Sequence, residues 1–207
     1  MKIVIAPDSF KGSASSSEIG RWIASGIHSV IPNCETVTIA IGDGGEGSLD
    51  AVLQSGFTAI ECEVLGPVDN PVRAKFGLRD KTALIEMAQA SGLAQLPGGR
   101  KSALSASSYG TGQLMKAALD NHAKEIILAI GGSATTDAGA GALQALGAQL
   151  RDASGNEIAR GGAALSNCAE IDISNLDPRL AGVNFIVASD VTNPLLGDNG
   201  AARVFAP

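Results

Sequence analysis

The feature that most constrains this chain is a recurring junction. Short apolar runs end, one after another, in loops of glycine and small polar residues: Lys2–Ala6 before PDSFKG, Thr36–Ile41 before GDGGEG, Glu125–Ile130 before GGSATTDAG, and Asn184–Ala188 before SDVTNP. Continuous apolar runs of this length, bounded by turn formers, read as strands buried on both faces. Such strands belong to parallel sheets covered by helices. Open parallel sheets bind ligands beyond the carboxyl ends of their strands, so each of these loops is a candidate site by position.

The intervening segments fit that frame. Ser15 and Glu18 form a capping box, and Ile19, Trp22, Ile23, Ile27 and Val30 recur at helical spacing, which predicts a helix from Ser15 to about Ser29, stopped by Pro32. With the strands at Lys2–Ala6 and Thr36–Ile41 it makes a parallel, right-handed strand–helix–strand unit. Three strand-like runs then follow without helices: Phe57–Leu65, Val72–Leu78 and Thr82–Met87, the first two joined by the turn-rich Gly66–Pro71. They predict an antiparallel patch and a domain transition nearby. Alternation resumes with helices at Gly112–Asn121 and Ala138–Leu146. The closing ARVFAP carries neither a helical pattern nor a polar tail, so the chain is expected to be a fragment.

Hydrophobic residues make up 45% of the 207, enough for a sizeable core, but aromatics only 3%. The core must be built from Ala, Ile, Leu and Val, packed closely through the 26 glycines. The net charge of −6 lacks the basic excess of a nucleic-acid binder, while a local pocket can still hold an anion. Cys34, Cys62 and Cys168 form no C-x-x-C pair and read as ordinary thiols of a reducing compartment. The first apolar run is too short for a signal peptide, and none is long enough to span a bilayer. A soluble, cytoplasmic protein is expected.

The loops carry the chemistry. PDSFKG sets Asp8, Ser9 and Lys11 between a strand and a helix start, where a lysine either faces a phosphate or carboxylate or stands in solvent. In GDGGEG, Gly42, Gly44 and Gly47 spell the dinucleotide-binding pattern, but Asp43 and Glu46 would repel a pyrophosphate. A nicotinamide-dependent oxidoreductase is thus a weaker alternative. Carboxylates there suit hydroxyl groups, Mg²⁺ or a protonated partner, or simply order the loop. GGSATTDAG offers backbone N–H groups through Gly131 and Gly132 and hydroxyls at Ser133, Thr135 and Thr136 as an anion cradle. It lacks the Walker lysine. Asp137 either holds a metal or caps the following helix. Ser107–Gly112 offers a further anion site, with Ser108 at the helix start. Asp190 and Asn193 lie just past a strand end. His28 and His122 fall outside these loops, so a general base is expected to be a carboxylate.

Taken together, IAPDSFKGS, GDGGEGSLDA, IEMAQASGL, SSYGTGQL, GGSATTDAGAGALQALGA and ASDVTNPLLGDNGAARVFAP resemble the bacterial-type glycerate kinase family, in the family's order along the whole chain. The resemblance implies ATP-dependent phosphorylation of D-glycerate, with Mg²⁺, to a phosphoglycerate, 2-phosphoglycerate being favoured. It implies two α/β domains, one flavodoxin- or Rossmann-like with a parallel sheet, the other with a mixed or antiparallel patch. Residues 1–65 would begin the first and 66–207 form the second. Family members are about twice this length, so the chain resembles their N-terminal half.

On this reading Lys11, Asp43 and Asp190 are catalytic. Asp8, Ser9, Gly44, Gly45, Glu46, Ser108 and Asn193 bind substrate. Gly131, Gly132, Ser133, Thr135 and Asp137 bind the nucleotide. Base and metal ligand stay undivided among Asp8, Asp43, Asp137 and Asp190. A non-catalytic ligand-binding fragment is the other alternative, and assembly into a homo-oligomer is compatible with all of these readings.

Overall fold

A computed structural model describes residues 1–10, 13–97 and 102–206. Lys11 lies outside them. The architecture is mixed α/β. Strand β1 (Lys2–Ile5) pairs in parallel with β2 (Glu35–Thr38), joined by helix α1 (Ser16–Val30). The capping box forms as expected: the Ser15 side chain accepts from the Glu18 N–H at 3.2 Å, and the Glu18 carboxylate accepts from the Ser15 N–H at 2.9 Å. β2 ends earlier than the apolar run suggested. The Ile39 N–H makes a last bond to the Ile5 carbonyl, and the chain then leaves the sheet for the GDGGEG loop. Helix α2 (Ser48–Gln54) follows that loop.

The main sheet has five strands in the order β3 (Thr58–Leu65), β4 (Pro71–Arg79), β5 (Thr82–Glu86), β6 (Glu125–Ala129) and β9 (Asn184–Ala188). The expected antiparallel patch is β3–β4–β5; β5, β6 and β9 run parallel. β3 pairs with β4 along its whole length, so a division after residue 65 would cut this hairpin.

Alternation along β4 explains the layers. Phe76, fully buried, faces helix α4 (Tyr109–Asp120) in a core with Val64, Ile85, Leu114, Leu119 and Ile126. Gly77 points the other way, where a side chain would meet Leu49 and Val52 of α2. On that second face Glu61 stands opposite Lys75 and Glu63 opposite Arg73, and opposite charges across a ladder are stabilising.

Helix α3 (Ala88–Ser91) leaves the end of β5, and helix α5 (Ala140–Ala145) packs on α4. α5 starts two residues later than its apolar pattern because Ala138 and Gly139 hold left-handed backbone, φ 52° and 83°. α4 starts earlier than expected, at Tyr109. Strands β7 (Gln149–Arg151) and β8 (Glu170–Asp172) form a small antiparallel pair. The ending is not free of helix: α6 (Ala201–Phe205) is a short turn, below the length at which apolar periodicity shows.

Two surfaces stay apolar and open. On α1 only Ile19 of the apolar set is buried, while Trp22 is 62% and Val30 80% exposed; the two-stranded sheet is too narrow to cover the helix. Phe185, Ile186 and Val187 of the edge strand β9 are also exposed. Among the described residues no helix is long and apolar enough to cross a membrane.

Candidate active site

The carboxyl ends of the two parallel units meet at the GDGGEG loop. The Gly44 carbonyl accepts from the Gly131 N–H at 2.9 Å. A Cβ on Gly131 would lie 2.5 Å from the Gly45 Cα, and one on Gly44, whose φ is 93°, would lie 2.7 Å from the Ala188 carbonyl oxygen. The glycines therefore serve backbone-to-backbone approach between three loops. The Ser9 hydroxyl adds the first loop, donating to the Glu46 carbonyl at 3.4 Å. The chain thus brings together the loops after β1, β2 and β6 and the end of β9.

Within this meeting point the side chains differ in what they have left to offer. Asp43 is exposed, and its Oδ1 accepts from the Gly45 N–H at 2.9 Å. Asp8 is exposed and accepts from the Ser9 N–H at 2.7 Å. Asp190 stands exposed just past β9. Asn193 is turned toward its own loop, its amide donating to the Asn199 carbonyl at 3.0 Å. Among the described residues the N–H groups of Gly132 and Ser133 and the hydroxyls of Ser133 and Thr135 have no hydrogen-bond partner. A cleft of about 330 Å³ opens between the loop after β1 and the starts of α1 and α2, lined by Ser9, Ser13, Ser15, Glu18, Glu46 and Asp50. A larger one, about 540 Å³, lies at the turn after β7 and touches none of the strand-following loops.

Asp137 and Ser108 face inward. Asp137 is fully buried. Its Oδ2 accepts from the Ser108 N–H at 2.8 Å, the Ser108 hydroxyl at 2.9 Å, the Gly141 N–H at 3.1 Å and the Ser107 hydroxyl at 3.4 Å, and its Oδ1 from the Gly139 N–H at 3.2 Å. Four donors crowd Oδ2 and one sits on Oδ1, so the carboxylate is turned to the protein. These contacts fill the capping role weighed for it, tying the starts of α4 and α5 together. Ser108 is spent in the same network, also accepting from the Ala142 N–H at 3.0 Å.

Glu86 escaped the sequence reading. It ends β5 and is 3% exposed, and its two oxygens accept from the Gly47 N–H at 3.3 Å and the Leu49 N–H at 3.1 Å. Burial pushes its carboxyl above the ordinary range, the two amides pull it back, and Asp50 and Glu46 push it further up. These amides at the start of α2 are the ones a pyrophosphate would need in a dinucleotide fold. A buried carboxylate holds them instead. The one signal in the sequence was an acid closing an apolar strand, in the IEMAQASGL segment.

The donor set fits an anion. For a metal the fit is narrower: among the described residues no group of three His, Cys, Asp or Glu side chains converges. Mg²⁺ does not require one, because it commonly takes one or two carboxylates, waters and substrate phosphates.

A model of the Glycerate kinase family matches residues 3–207. The chain is 50% identical over 210 residues to the glycerate 2-kinase of Escherichia coli K12 and 49% identical over 210 residues to the glycerate kinase of Bacillus subtilis 168. Both alignments cover 100% of this chain and 55% of the relative. A crystal structure of a protein assigned as glycerate kinase 2 from Salmonella typhimurium LT2 superposes with a TM-score of 0.84 at 48% identity, over 99% of this chain and 56% of that one. The chain spans about half the length of the curated relatives it matches.

Proposed function

The chain belongs to the glycerate kinase family, and from that premise we propose that it supplies half of an ATP-dependent kinase that phosphorylates D-glycerate on the carbon-2 hydroxyl. The observation that carries this reading is the contact between a donor-lined loop, Gly131–Thr135, and a carboxylate-bearing loop, Gly42–Gly47, at the ends of parallel strands. The name of the Escherichia coli relative, a glycerate 2-kinase, supports carbon 2 over carbon 3.

Phosphoryl transfer needs positioning and charge neutralisation more than covalent chemistry. The Gly132 and Ser133 amides and the Ser133 and Thr135 hydroxyls would hold nucleotide phosphate. Lys11 would neutralise phosphate or the glycerate carboxylate. Ser9 and Glu46 would receive the glycerate hydroxyls from the side of the cleft. Asp43 or Asp190 would accept the proton of the attacking hydroxyl, and the other would offer a carboxylate to Mg²⁺. Asp8 and Asn193 would line the rim, and Gly44 and Gly45 would set the loop's path. Asp137 and Ser108 would act behind the site, shaping the cradle from within. When bound, ATP with Mg²⁺ supplies the phosphoryl group and screens its charge.

Phosphorus NMR of the product tests the reading. A form extended to the length of its relatives should convert D-glycerate, ATP and Mg²⁺ to ADP and 2-phosphoglycerate. Accumulation of 3-phosphoglycerate would overturn the choice of hydroxyl.

A further inference from the structure

Besides the Ser9 hydroxyl on the Glu46 carbonyl, the Gly42–Gly47 loop is held at three points. The Gly44 N–H donates to the Ser48 hydroxyl at 3.1 Å, the Gly44 carbonyl accepts from Gly131 at 2.9 Å, and Glu86 accepts from Gly47 and Leu49. The third anchor comes from another strand, nearly forty residues on. It replaces a local cap that the loop cannot have: the position before α2 is Gly47, at φ 101°, with no side chain to turn onto the helix start. A serine or aspartate in extended backbone caps a helix at little cost. Here the chain instead buries a carboxylate beside Glu46 and Asp50, and among the described residues no cation pairs with it. One acceptor oxygen on each amide is what fits this geometry. An amide would turn its NH₂ toward one of the two N–H groups, and a buried donor without an acceptor is destabilising.

We propose that Glu86 is a positioning residue of the hydroxy-acid site: by gripping the Gly47 and Leu49 amides from the end of β5, it sets where Asp43 and Glu46 stand. This rests on the reading of Gly42–Gly47 as the substrate loop. It predicts a defect weighted toward one substrate, because the phosphate-holding loop after β6, although joined to the Gly44 carbonyl through Gly131, keeps two anchors of its own, Ala134 N–H to Ser91 and Leu93 N–H to Gly132.

The test uses Glu86→Gln, which keeps the shape, and Glu86→Asp, which keeps the charge but loses reach. In the form extended to its relatives' length, Glu86→Gln should raise KM for D-glycerate about tenfold or more, as expected for the loss of one charge-assisted bond. KM for ATP should move less than about twofold, and Glu86→Asp should fall between Gln and wild type. Amide hydrogen exchange on the 207-residue chain gives a second readout. Residues 44–49 should lose protection in Glu86→Gln while α4 keeps it. An unchanged KM for glycerate, or both KM values rising together with a lower melting temperature, overturns the proposal. If the wild-type extended protein releases no ADP, the kinase reading fails, and exchange alone decides: unchanged protection at 44–49 overturns the anchoring role.

Discussion

Replacing Asp137 with alanine removes an acceptor that five donors share. The two hydroxyls can rotate; the backbone amides cannot. The Ser108 and Gly141 N–H groups make their bonds in buried surroundings, while that of Gly139 is half-buried and can turn to water. An orphaned buried donor costs about 1–3 kcal/mol, so the pair costs about 2–6 kcal/mol, with about 4 kcal/mol as the centre. In a domain of this size 1 kcal/mol moves the melting temperature by about 2–4 °C, so Asp137→Ala should melt about 8–16 °C lower. Asp137→Asn separates the causes. Its carbonyl oxygen can take the place of Oδ2 and keep Ser108 and Gly141, while its NH₂ confronts only the Gly139 N–H. It should lose about 1–2 kcal/mol. Urea unfolding followed by circular dichroism measures both. An alanine variant within about 1 kcal/mol of wild type, or an asparagine variant as damaged as alanine, would refute the view that the carboxylate works through these fixed amides.

Three further outcomes are expected. Gly131→Ala places a Cβ 2.5 Å from the Gly45 Cα, where backbone must move; the melting temperature should fall, and turnover of the extended protein measured well below it should fall by about tenfold or more, whereas unchanged turnover there would make the contact purely structural. Asp177 is held down to about 2 from 3.8 by the Arg179 guanidinium that hydrogen-bonds it, so its contribution is complete above the unfolded value and is lost as the pH falls from about 4 to about 2. Thermal unfolding of Asp177→Asn across that window should show a flatter acid dependence than wild type; parallel curves would count against the pair. Lys11→Ala in the extended protein should cut turnover severely without lowering the melting temperature, and near-normal turnover would remove Lys11 from the site.

Much of the frame was legible because each signal was local. The Ser15–Glu18 capping box marked the start of α1, and apolar runs ending in glycine marked the strands and the loops beyond them. What stayed hidden was direction. Asp43 and Asp137 are both aspartates in glycine-rich loops after strands, yet one stands in solvent and the other is fully buried among helix starts. That difference is made by α4 and α5 closing over Asp137, and the two helices come from separate stretches of chain. Glu86 was hidden for the opposite reason. Its neighbours Ile85 and Met87 mark only a strand, and its partners lie in another loop. The apolar face of α1 was read correctly as apolar, but periodicity does not say what covers it, and here Trp22 and Val30 are exposed.

The most direct test of the kinase reading is a coupled assay of ADP release, run on the 207-residue chain and on the form extended to its relatives' length, with ATP, Mg²⁺ and D-glycerate supplied together and each omitted in turn. The extended protein should release ADP only when all three are present. Ligand binding without ADP release, or release that does not depend on glycerate, would contradict that reading.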